Sequence, residues 1–64
     1  MKVTLVVNRK NIIKRIITNE DRSYADAMKE ARTGEKYWGW KLVTVETNKG
    51  YIEIADEWRR THRG

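Results

Sequence analysis

Residues 2–7 alternate, with Val3, Leu5 and Val7 on one side and Lys2, Thr4 and Val6 on the other, the period-two pattern of a β-strand. Asn8-Arg9-Lys10-Asn11 then breaks the apolar pattern with two asparagines, which tolerate the left-handed backbone that a hairpin loop requires. The next segment, Ile12-Ile13-Lys14-Arg15-Ile16-Ile17-Thr18, fits a helical stripe as well as a strand. Its β-branching and short length favour a strand. Read as a regular strand it has isoleucine on both faces and a cation in the middle of each, unless a bulge near Lys14 and Arg15 restores one face. Such a strand belongs at a sheet edge, where central charges discourage pairing with other chains.

Asn19-Glu20-Asp21-Arg22 is a polar connector, and Ser23 followed by Asp26 has the spacing of a capping box with aspartate in the place of glutamate. Tyr24, Ala27, Met28 and Ala31 fall at i, i+3, i+4 and i+7 and form one apolar stripe. Gly34 is the expected C-terminal cap, which makes a helix of about three turns. Tyr37 to Thr47 then reads as a strand, Asn48-Lys49-Gly50 as a turn, and Tyr51 to about Trp58 as a last strand. Placing Glu46 opposite Tyr51 sets Val45 against Ile52, Val43 against Ile54, Thr44 against Glu53 and Lys41 against Asp56. That register gathers the apolar pairs on one face.

The predicted fold class is α+β: a ββαββ four-stranded sheet with one helix across one face. A right-handed crossover would lay the first and last strands side by side and parallel at the centre. In element order this resembles β-grasp folds, such as the small immunoglobulin-binding domains of protein G. The resemblance is of order alone, and no binding residue follows from it. Residues 1–58 are expected to form a single domain and 59–64 a basic C-terminal tail.

Composition narrows the possible chemistry. The chain has 64 residues and no cysteine, which removes disulfide staples and thiolate metal sites. A single histidine, His62, near the end of the sequence is a poor start for a metal centre or a held catalytic base. The four glycines never form a phosphate-cradling loop. No enzyme activity, cofactor or metal is expected. The apolar runs are too short for a membrane span, and the opening MKVTLVVNRK is charged too soon for a secretory signal, so a cytoplasmic setting is expected.

Charge carries the most information about partners. Lys2, Arg9, Lys10, Lys14 and Arg15 stand in the first eighteen residues with no acid among them, as much positive charge as the net +5 of the whole chain. Arg59, Arg60 and Arg63 crowd the other end. With the first and last strands parallel, Arg9, Lys10, Arg59, Arg60 and Arg63 would converge into one positive pole, with Lys14 and Arg15 on the neighbouring strand. A pole of that kind attracts nucleic-acid phosphates with strong salt dependence. A solvated hairpin tip and a soluble tail account for the same charge without a ligand. Trp38 and Trp40 share a face that Val43 and Val45 cannot share on a regular strand. Either a bulge at Gly39 turns one inward or both sit away from the helix, where an exposed tryptophan would stack on unpaired bases or anchor a protein interface. The leading expectation is a non-enzymatic nucleic-acid-binding module. The alternative is an inhibitor or adaptor that docks on a larger protein. A homodimer, formed through the helix-free face or an edge strand, is expected with either.

Overall fold

The alternating first segment becomes the centre of a three-stranded antiparallel sheet. β1 (Lys2–Val7) pairs on one side with β2 (Ile13–Thr18) and on the other with β3 (Lys41–Glu46), giving the order β2-β1-β3. α1 (Tyr24–Trp38) connects β2 to β3, and α2 (Tyr51–Thr61) follows β3. The computed structural model describes residues 1–62. The fold is α+β, but it is β-β-α-β-α with two helices; the four-stranded ββαββ sheet and its β-grasp order are not formed.

The difference lies in residues 51–61. Tyr51, Ile54, Ala55, Trp58 and His62 recur at helical spacing, and coiling them buries Ile54 and Ala55 together. Glu53 in the first turn and Arg59 and Arg60 in the last suit the partial charges of the helix ends. The valines expected opposite Ile52 and Ile54 instead meet β1: Val3 lies opposite Val45, Leu5 opposite Val43 and Val6 opposite Leu42. The first and last elements are therefore not paired strands: α2 packs across the face of β1 as a helix.

Both sheet faces are covered, so the helix-free face expected from one helix does not exist. On one side Val3, Leu5 and Val7 pack with Ile54 of α2, joined by Ile13, Ile16, Val43, Val45 and Trp58. On the other Val6 and Ile17 pack with Ala27 and Ala31 of α1, joined by Trp40 and Leu42. Val3 to Val7 are accordingly all buried. The extents of 31 × 29 × 13 Å match this layering, since three strands about 4.8 Å apart make one narrow dimension. Thr4, the polar member of the buried strand, shares a 3.1 Å hydrogen bond between its Oγ1 and that of Thr44.

Of the two forms left open for β2, the bulged one is present. Val6 lies opposite Arg15 and Val7 opposite Ile13, so Lys14 is the extra residue. This turns Ile13 and Ile16 toward α2, while Ile17 reaches the α1 side and Arg15 forms an ion pair with Glu30 of α1.

α1 is longer than its stripe suggests. Gly34 does not end it: it is buried inside the helix, where a Cβ would overlap the ring of Trp40. The cap is Gly39, whose φ of 71° is costly for other residues. Ser23 holds the N-cap position but makes no capping bond, so the box with Asp26 is not formed. Its hydroxyl and its N–H both donate to Oδ1 of Asp21 at 2.9 Å. Those two bonds hold the Asp21 carboxyl below the usual aspartate range.

Candidate nucleic-acid interface

The β1–β2 hairpin is locked by asparagine. Asn8 N–H donates to the Ile12 carbonyl at 3.0 Å, while its Oδ1 accepts from Lys10 N–H at 2.9 Å and Ile12 N–H at 3.0 Å. Asn11 adopts the left-handed conformation with φ 63°. The tip presents Arg9 and Lys10, both exposed.

Two contacts fasten this tip to the ends of both helices. Trp58 of α2 donates its Nε1–H to the Asn11 carbonyl at 2.8 Å. On the α1 side the Arg9 guanidinium lies against Gly39, filling the space that a side chain there would need. β3 also begins here, with Lys41 opposite Val7. The hairpin and the last turns of α1 and α2 thus form one end of the molecule, reached by a different topology from the parallel strands expected.

Arg9, Lys10, Lys36, Lys41, Arg59 and Arg60 stand at this end. Two helix C-termini together supply only about one negative charge. Asp56 pairs with Arg59 at 3.3 Å and Glu57 is engaged by Lys49, a bond that lowers the Glu57 carboxyl and raises the Lys49 ammonium. Positive charge remains in excess. Among the described residues Arg9, Lys10, Lys14 and Arg60 have no ion pair. Lys14 stands at the β2 bulge beside the hairpin, whereas Arg15 is committed to Glu30. Arg59 and Arg60 continue α2 and do not begin a tail. Arg63 lies outside the described residues.

The tryptophans divide. Trp40 is half-buried and packs into the α1-side core; Trp38 is 58% exposed. Their ring centroids are 4.9 Å apart and tilted by 56°, so the half-buried indole supports the exposed one. Both follow from the helix running through Tyr37 and Trp38 and being capped at Gly39, in place of a strand bulged there. Tyr37 is 68% exposed, with the Lys36 ammonium 5.4 Å from its ring centre. Sequence reasoning missed Lys36, Tyr37 and Lys41 as parts of this end. Their adjacency to Trp38 and Trp40 was the available signal.

A groove of about 180 Å³ lies between α2 and β3, floored by Leu5 and Val45 and walled by Ile54, Trp58 and His62. It is smaller than the roughly 300–1,000 Å³ of small-molecule sites. His62 stacks on Trp58 with centroids 3.6 Å apart. Among the described residues no cluster of His, Asp and Glu is arranged to hold a metal, and no helix is long and apolar enough to cross a membrane. No protein-family model, curated protein or solved structure matches this chain.

Proposed function

We propose that the hairpin end is a non-enzymatic binding surface for single-stranded nucleic acid, used in a cytoplasmic setting that the cysteine-free composition permits. The observation that supports it is the exposed Trp38, backed by Trp40 and one residue from the glycine on which Arg9 rests. Phosphates would bind Arg9, Lys10, Arg59 and Arg60, and an unpaired base would stack on Trp38. Duplex DNA offers the same phosphates but no free base face, so single strands are the better fit. The experiment is a pair of double substitutions, Arg9→Ala with Lys10→Ala and Arg59→Ala with Arg60→Ala. Each should weaken binding of an oligonucleotide and flatten the slope of log K against log salt by about 1.4, the counterions released by two single-strand phosphate contacts. Both variants should stay folded with a modest loss, because Arg59 and Arg60 each favour the C-terminal end of α2 by about 0.3–1 kcal/mol and Arg9 rests on the α1 cap Gly39. Parent-like binding by both variants sinks the reading. Docking on a larger protein is the second reading, favoured by Tyr51 and Ile52 at the start of α2, 48% and 64% exposed. It gains if a nuclease-treated pull-down retains one protein and Ile52→Ser releases it.

A further inference from the structure

Two of the three strands are sheet edges, and they are finished differently. β2 carries the bulge with Lys14 at its centre and Arg15 beside it, a form that resists pairing with another strand. β3 runs in unbroken register against β1 from Lys41 to Glu46, and its central residues, Leu42-Val43-Thr44-Val45, carry no charge. Natural sheets avoid a regular, uncharged edge unless it is covered or paired.

The ladder determines which main-chain groups are free. Thr47 N–H donates to the Met1 carbonyl at 2.9 Å, and bonded pairs alternate with non-bonded ones along an antiparallel ladder. Val45, Val43 and Lys41 therefore bond to β1. Leu42, Thr44 and Glu46 turn their N–H and C=O outward, and no strand lies beyond them among the described residues.

We propose that β3 pairs antiparallel with β3 of a second copy about a two-fold axis through Thr44, joining the two sheets into one. This goes beyond the nucleic-acid reading and is independent of it. A two-fold axis normal to the sheet is the operator that pairs a strand with its own copy in this sense, and it brings residues of the same face opposite each other. With Thr44 on the axis, Thr44 meets the partner's Thr44 and Leu42 meets the partner's Glu46. All the outward N–H and C=O groups of both copies are then satisfied. Centring the axis on Glu46 instead would set that carboxylate against itself and leave Leu42 unpaired. On the α2 side Val43 meets the partner's Val45, next to the apolar groove. On the α1 side the Thr4–Thr44 hydroxyl pair continues to the partner's Thr44 as a polar row across the joined sheet. A foreign strand could use the same free groups, but the second copy is singled out because β3 reversed about Thr44 matches itself, valine on valine and threonine on threonine.

The test combines sedimentation with amide exchange on the parent protein, followed by two variants. The parent should form a species of twice 7.6 kDa at high micromolar concentration. As it does so, the amides of Leu42, Thr44 and Glu46 should slow by at least about tenfold, because only a paired edge protects them. Thr44→Lys and Thr44→Glu, at an exposed position, each set like charges directly opposite and should weaken the dimer by at least about tenfold. An equimolar mixture of the two should restore it. A parent that stays monomeric, or that dimerises while those amides exchange freely, overturns the proposal. Variants that dimerise alone as tightly as the parent overturn it too, as does a mixture of folded variants that stays monomeric. The exchange measurement on the parent decides the matter even if a variant fails to fold.

Discussion

Gly34 and Gly39 stand five positions apart and do different things. Gly39 supplies a left-handed backbone at the helix end; Gly34 supplies room inside the helix for the Trp40 ring. In an open helix, alanine in place of glycine stabilises by roughly 0.5–1 kcal/mol. At Gly34 the sign should reverse, since an added methyl must displace a half-buried indole, an overpacking that costs about 1–3 kcal/mol. Gly34→Ala is therefore expected to lower the midpoint of thermal unfolding, and a raised midpoint would show that Trp40 does not pack there. A glycine just past an apolar stripe reads as a cap, which is how Gly34 appears in the sequence. Only the fold shows that the stripe continues beneath Trp40. Similarly, Ser23 has the right spacing for a capping box, yet Asp21 takes its hydroxyl and N–H first.

At the scale of elements, β1, the hairpin and the edge position of β2 were legible, while its bulge was one of two forms the sequence left open. Alternation, two asparagines and a cation in the middle of an isoleucine run each have a local physical meaning, and each appears in the structure. The last element was not. Ile52 and Ile54 alternate around Glu53 as a strand would, while Tyr51, Ile54, Ala55 and Trp58 make a helical stripe in the same residues. The choice was made by packing: as a helix the segment buries Ile54 and Ala55 together and covers the face of Leu5 and Val7. What ties α2 to the hairpin is the Trp58 indole N–H on the Asn11 carbonyl. Trp58→Phe keeps an aromatic ring in the core, gives up part of the indole's contact with its neighbours and with His62, and deletes that bond. The expected loss is at least about 0.5–1.5 kcal/mol, seen as a midpoint lowered by roughly 4–8 °C per kcal/mol in a domain of this size, with faster amide exchange at Lys10 and Ile12. Unchanged stability and exchange would mean that the hairpin holds its place without α2.

At the scale of the whole molecule, the positive end survives a change of topology. Parallel first and last strands would bring Arg9 and Lys10 to the C-terminal arginines. The structure brings the hairpin to Arg59 and Arg60 through an antiparallel sheet whose two helices both end beside it. The exposed member of the tryptophan pair could not be read from the sequence, because Trp38 and Trp40 flank a helix cap and not a strand bulge. Trp38 makes the central claim directly measurable. The decisive experiment is a tryptophan-fluorescence titration with oligothymidylate near 150 mM salt, run on the parent and on Trp38→Ala. The account predicts quenching on binding by the parent, and an affinity about 5- to 150-fold lower in the variant, which corresponds to the roughly 1–3 kcal/mol of one stacked base. No binding by the parent, or equal binding by both proteins, would contradict it.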